Sequence, residues 1–327
     1  MRLRRTKSTT KPLITLFTLI MLMILFIFPT SSLRGAENGL LLWFNILLPN
    51  LLPFMIISNL IIELRLTKYF AKLFYYPLHL FFRVTRHGCY PIVIGLLTGF
   101  PVGAKVCGDL VSNHLITREE GQYLLTFCNN ASPSFIISYI AISSLNLPGI
   151  KYSILLIIYA AAILSSLVFR LVHFLRYRRE VDFTSLRTAS VIQTSELHSE
   201  KLSFRVIDKS IQDAFEVVTK VGGYVILFSI LSYVIMDSGL LPNLMNQMVV
   251  GLMEITNGIN VISHSGNAIE LQIALILALT AFGGFSSIAQ TKSVIDQTGL
   301  SIKTYIIYKL INALFTLALV YLFLLLL

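Results

Sequence analysis

Residues 95–135 read GLLTGFPVGAKVCGDLVSNHLITREEGQYLLTFCNNASPSF, and their reading decides the fold. The stretch begins and ends apolar, as a membrane segment does, but its middle breaks the rules for one. Gly99, Pro101 and Gly103 interrupt a helix, and Lys105 and Asp109 follow at a depth where charge is expensive. Asn129, Asn130, Ser132 and Pro133 form a second polar, helix-breaking knot. In hydrocarbon an unmade backbone hydrogen bond is costly, so irregular backbone survives only where protein buries it or a watery cavity meets it. Interrupted segments of this kind point to the substrate site of a transporter.

The composition agrees. Of 327 residues, 55% are hydrophobic and only 13% charged, and the mean hydropathy is +0.77. So few charges cannot cover a soluble protein of this length, which leaves an all-α, polytopic membrane protein. The apolar runs are continuous rather than alternating, which excludes a β-barrel. The net charge of +10 does not call for nucleic acid, because Lys and Arg collect in the cytoplasmic loops of membrane proteins. Cys89, Cys107 and Cys128 show no metal-ligand or CxxC spacing and read as small packing residues, and the six histidines form no ligand pattern.

Working outward, residues 2–11 carry Arg2, Arg4, Arg5, Lys7 and Lys11 with no acid, ahead of an apolar run from Leu13 to Phe28. The residues that follow offer no clean small-x-small cleavage site, so this is read as an uncleaved first helix with a cytoplasmic N-terminus. Leu40–Ile62 is a span that Pro49 and Pro53 should kink, with Asn45, Asn50 and Asn59 as its polar residues. Residues 69–83, aromatic and flanked by cations, read as an interfacial helix or a short span, and 90–107 as a crossing or a re-entrant segment. Thr117 should cap a helix starting near Arg118, with Glu120 behind the cap. Lys151–Val172 is a span, and residues 176–212, with seven Lys/Arg against five acids, read as a cytoplasmic polar loop. Val217–Ile235, a segment Leu271–Gln290 broken by FGGFSS, and Tyr305–Leu327 complete the membrane part.

Two halves can be laid over each other. An offset of 171 pairs Ser58 with Ser229; one of 182 pairs Thr98 with Thr280, Phe100 with Phe282 and Asn130 with Asn312. Residues 63–90 are basic, whereas 237–270 contain no Lys or Arg but do contain Asp237, Glu254 and Glu270. By the positive-inside rule the two pieces face opposite sides, which makes the halves inverted copies, an arrangement typical of secondary transporters.

The chemistry expected at the centre is anion binding. A helix restarting near Gly103 would aim backbone N–H groups and its positive dipole end at a ligand, with Lys105 in the first turn. Gly283 and Gly284 would make the corresponding break in the second half, with the side chains of Ser286, Ser287 and Gln290 beside it. Alternatives stay open. Lys105 could instead bridge to Asp109 at i, i+4 or snorkel to the interface, the Asn129–Pro133 knot could glue helices together, and Gly283–Gly284 could serve close packing.

With GFPVGAKV, the REE connection, FCNNASPSFI and ITNGI at 255–259, the chain resembles sporulation integral membrane proteins of the YlbJ type, within the nucleoside-recognition or Gate family. The resemblance covers about residues 38–325. It implies two inverted Gate-like repeats with broken helices or re-entrant hairpins, placement in the outer forespore membrane, and movement of dipicolinic acid towards the forespore for cortex formation and spore maturation. On this reading the chain divides into residues 1–37 (tail and first helix), 38–142 (first repeat), 143–175 (linking helix), 176–212 (loop) and 213–327 (second repeat). The substrate-binding set is Gly99, Phe100, Pro101, Gly103, Lys105, Asn129, Asn130, Ser132, Pro133, Gly283, Gly284, Ser286 and Gln290. Phe100 or Phe135 could stack on the pyridine ring. The partners implied are a small anionic substrate, the lipid bilayer and a coupling ion, with oligomerisation left open and no cofactor, metal or nucleic acid. An enzyme would need a nucleophile–base pair or metal ligands, and no GxSxG or HExxH is present. The competing readings are a nucleoside-type transporter and a scaffold that docks other sporulation proteins through residues 176–212.

Overall fold

A computed structural model describes residues 10–64, 66–177 and 203–326; the basic residues Arg2, Arg4, Arg5 and Lys7 and most of the polar loop lie outside these. Among the described residues every regular element is a helix and there is no strand. Five helices of the described residues are long and apolar enough to cross a membrane: Pro29–Glu63, Pro148–Leu175, Phe204–Ser238, Ile269–Ile295 and Ile302–Leu325.

Helix α1 (Thr10–Ile27) is followed by α2 (Pro29–Leu42), which passes through a π-helical turn (Trp43–Leu47) into α3 (Leu48–Glu63). The helix therefore begins well before Leu40. Pro29 pre-sets the first turn, and Ser31, Ser32, Gly35 and Gly39 give it a small-residue face. That face lets α9 (Phe204–Ser238) approach so closely that a Cβ at Gly35 would stand 2.7 Å from the Ile230 Cα. The π turn sits just ahead of Pro49, where the missing N–H would otherwise leave a gap in the ladder. The Trp43 Nε1 donates to the Val218 carbonyl at 2.9 Å and fastens this turn to α9.

Helix α9 also starts earlier than expected, inside the stretch read as polar loop. Val206, Ser210, Ala214 and Val218 recur at helical spacing and are buried, so the segment has a face to pack. Asn59 donates to the Ser210 carbonyl at 3.0 Å and Lys209 pairs with Glu63 at 2.7 Å, tying this end of α9 to α3.

Helix α4 (Thr67–Phe82) leaves Tyr69, Leu73, Tyr76, Leu80 and Phe81 exposed. Its 16 residues, at about 1.5 Å each, fall short of the roughly 30 Å hydrocarbon core, which suits an interfacial helix. Next come α5 (Cys89–Thr98) and α6 (Val102–Ser112), a helical hairpin with its bend at Gly99–Pro101 and a cis peptide between Phe100 and Pro101. Helix α7 (Arg118–Leu125) is capped by Thr117, whose Oγ1 accepts from the Glu120 N–H, as the sequence suggests. The chain then leaves the helix through the Asn129–Asn130 knot and resumes as a π-helix, Phe135–Ser144, before α8 (Lys151–Tyr177).

The order recurs. After the long helix α9 come a second hairpin, α10 (Asn243–Met253) and α11 (Ile255–Ser263), a second interrupted helix, α12 (Ile269–Phe282) and α13 (Gly284–Ile295), and a closing span, α14 (Ile302–Leu325). The offsets of 171 and 182 do not describe this recurrence. Gly99–Pro101 bends a hairpin, whereas Gly283, with φ 91°, interrupts a helix that carries on as α13. The counterpart of the first hairpin bend is Glu254.

Candidate functional site

Four irregular places converge. The first hairpin bend is held against the unwound strand, the irregular and unpaired stretch around Asn129–Pro133 between α7 and the π-helix, by the Phe100 N–H, which donates to the Asn130 carbonyl at 2.7 Å. Gly103 and Gly95 make this approach possible, since a Cβ on Gly103 would lie 2.9 Å from the Cys128 carbonyl carbon and 3.2 Å from the Gly95 Cα. The Tyr159 hydroxyl of α8 donates to the Leu96 carbonyl at 2.7 Å and the Ala131 carbonyl at 3.2 Å, binding hairpin and strand together. In the second half, a Cβ at Gly284 would meet the carbonyls of Gly251 and Leu252 at 3.3 Å, so that break rests on the second hairpin.

Between them lies a cavity of about 390 Å³, bounded by the first hairpin bend, the Ala131–Ser143 segment, the second hairpin bend, Gln290 and the long helices α2–α3 and α9. Aromatic faces come from Phe100, Phe135 and Tyr139, the last two stacked at 5.0 Å. Hydroxyls come from Thr98, Ser132, Ser134 and Ser138, and amides from Asn50 and Gln290. Glu254 is the charged lining residue among those described, and no Lys or Arg lines the cavity. Its carboxylate caps α11, accepting from the Thr256 hydroxyl and from the Asn257 N–H at 3.0 Å.

Of the residues expected to bind substrate, Gly99, Phe100, Ser132 and Gln290 line the cavity. Pro101 forms the buried start of α6, and Pro133 leads into the π-helix. Ser132 also accepts from the Phe135 N–H at 3.3 Å, capping that helix. Ser286 is buried and accepts from the Gln290 amide at 3.1 Å, so it sits behind the lining. Lys105 does not line the cavity. Its Nζ donates to Asp109 at 2.6 Å and Asn59 at 2.7 Å, the bridging arrangement, which fixes the hairpin to α3. The α6 amides are not left free for an anion either: Ala104 N–H donates to the Asn129 Oδ1 at 3.3 Å, and Lys105 N–H to the Pro101 carbonyl at 2.9 Å.

Asn129 and Asn130 do not line the cavity; just before the lining residue Ala131, their side chains belong to a buried polar cluster. Asn129 Nδ2 donates to the Thr291 and Tyr305 hydroxyls, both at 2.9 Å. Asn130 Oδ1 accepts from Lys309 Nζ at 3.1 Å and from Asn312 Nδ2 at 3.3 Å. The sequence reading passed over Lys309, although a lone cation in the apolar run IIYKLINALF was a usable signal. It also passed over Glu254 as a site residue, which lies between Gly251 and Gly258 where the two arms of a hairpin can close.

These spans, hairpins and interrupted helices define a multi-pass α-helical integral membrane protein. No family model matches the chain, and no solved structure matches it. It is similar to the sporulation integral membrane protein YlbJ of Bacillus subtilis (strain 168), with 24% identity over 314 residues, covering 88% of this chain and 76% of that protein. The match bears out the resemblance to the YlbJ type and supports a sporulation membrane protein.

Proposed function

We propose that the protein is a permease that carries a small polar aromatic solute, with dipicolinate the first candidate, across the outer forespore membrane by alternating access. The observation that carries this reading is the cavity itself, where two hairpin bends and two interrupted helices meet. Irregular backbone gathered around a solvent-sized space is how helical transporters build a binding site. Two sets of long helix, hairpin, interrupted helix and closing span supply two units that can move against each other, and inversion of one relative to the other, with a cytoplasmic N-terminus, follows from the distribution of cations. No covalent step is called for.

The lining favours an aromatic ring between Phe100 and the Phe135–Tyr139 pair, with hydroxyls and amides for its polar edge. Because Glu254 is there and no cation is, a dicarboxylate would enter with its charge neutralised, by protons or by a co-transported ion. The same feature favours a second reading, a neutral solute such as a nucleoside, whose hydroxyls Glu254 could accept from.

The test is uptake into vesicles reconstituted with the purified chain, using labelled dipicolinate with nucleosides as competitors, and in a separate arm labelled nucleosides. Dipicolinate uptake above that of empty vesicles, with a raised KM in Phe100→Ala and a pH dependence altered by Glu254→Gln, supports the first reading. Nucleoside uptake alone supports the second. No uptake of either by folded protein overturns both.

A further inference from the structure

Lys309 lies in the third turn of α14, is 1% exposed, and is among the largest fully buried side chains of the protein. Its ammonium has no carboxylate partner among the described residues. It is held instead by the Asn129 carbonyl oxygen at 3.2 Å and the Asn130 Oδ1 at 3.1 Å. A buried charge normally needs a counter-charge, or enough dipoles around it to replace water. Here the dipoles come from the unwound strand, where the helix break has released a main-chain carbonyl. The neighbouring Asn312, on the same face of α14 and fully buried, leaves its Oδ1 without a donor. The Lys309 side chain also runs past the second break, its Cε 3.9 Å from where a Cβ of Gly283 would be.

Lys309 thus rests on two acceptors of the first break, with a third, unpaired acceptor on the next turn of α14, and its stem passes the second break. Carbonyl and amide oxygens converging at a helix break are the ligand set of a monovalent cation. We propose that the Lys309 ammonium is a covalently tethered replacement for a bound alkali-metal ion, so that the protein needs no sodium or potassium beside its two breaks. The tether supplies the positive charge that holds α14 to the unwound strand beside the second break, with no ion to bind or release.

The experiment compares melting of the detergent-purified full chain in sodium, potassium and choline chloride at matched ionic strength. Wild type is expected to melt at the same temperature in all three. Lys309→Ala opens the acceptor pocket; it is expected to melt lower in choline and to recover several degrees in sodium or potassium. Lys309→Ser, which keeps a polar atom in the space, gives the same readout if the alanine variant is not recovered. A wild type stabilised by sodium or potassium over choline overturns the proposal, as does a folded variant that melts lower and ignores the cation. A corollary rests on the permease reading in its proton-coupled form: wild-type uptake should be equal in the three salts. Failure of the permease reading would leave the melting result untouched.

Discussion

Replacing Gly103 by alanine should separate the first hairpin from the unwound strand. The added Cβ would stand 2.9 Å from the Cys128 carbonyl carbon and 3.2 Å from the Gly95 Cα, with the carbonyl oxygen nearer still. None of these atoms is the end of a flexible side chain, so the hairpin has to move as a whole. Overpacking of a tight core costs about 1–3 kcal/mol. The shift also strains two hydrogen bonds that lock hairpin to strand, Phe100 N–H to the Asn130 carbonyl and Ala104 N–H to Asn129 Oδ1, each worth about 0.5–1.5 kcal/mol. Together the loss comes to about 2–6 kcal/mol. The protein carries its own reporter, because Cys89, Cys107 and Cys128 are free and buried and react with a thiol-specific dye only as the fold opens. Gly149→Ala is the control, since a Cβ there would meet nothing within 4 Å. The glycine-103 variant should label at markedly lower temperature, and the glycine-149 variant at the wild-type temperature. If both labelled like wild type, the close clasp between hairpin and strand would not exist as described.

Three further outcomes follow from the geometry. Phe100→Ala should raise the KM for an aromatic solute by about 2- to 12-fold, the equivalent of one lost stacking contact of 0.5–1.5 kcal/mol, with little change in melting; an unchanged KM would remove Phe100 from the binding surface. Lys105→Met should leave uptake near wild type while lowering stability by about 1–3 kcal/mol, because Lys105 is spent on Asp109 and Asn59; abolished uptake by well-folded protein would restore it to the substrate path. Glu120→Ala should destabilise by about 2–4 kcal/mol, since the fully buried carboxylate takes the Thr85 N–H at 2.6 Å and the Thr85 hydroxyl at 3.0 Å, and wild-type melting of that variant would count against those two bonds.

Much of this site could be read from residue order alone, for a local reason. Gly99–Phe100–Pro101 and Asn129–Pro133 break helices by their own backbone preferences, so the positions of both breaks are written in the sequence. The partners of those breaks are not. Asn129 meets Tyr305 and Lys309 only because α14 packs beside the unwound strand, a contact that spans 176 and 180 residues. Lys105 stayed ambiguous for the same reason: from the sequence it is a cation at a helix start that could bind an anion or bridge to Asp109, and only the fold brings Asn59 within reach of it. Glu254 looked like one acid in a cation-free connection until the second hairpin put it at a bend. The early start of α9 was hidden because residues 204–212 are polar on one face and the buried face shows only when α3 lies against it.

Asn130 constrains how such a permease would move. Its carbonyl takes the Phe100 N–H of the first hairpin bend, and its side-chain oxygen takes Lys309 of α14. A motion of that bend relative to α14 would have to break one bond or the other inside a dry layer, at the full cost of an unmade buried hydrogen bond. Contacts across the cavity are of a different kind. The Ala131–Ser143 wall faces the long helices α2–α3 and α9 across open space, and its hydroxyls and rings have water or solute to turn to. The softer boundary is therefore the cavity itself. Alternating access would keep the first hairpin, the unwound strand and α14 together, with Lys309 as the pin, and moving that body past α3 would require breaking the Lys105–Asn59 and Tyr90–Ser58 bonds.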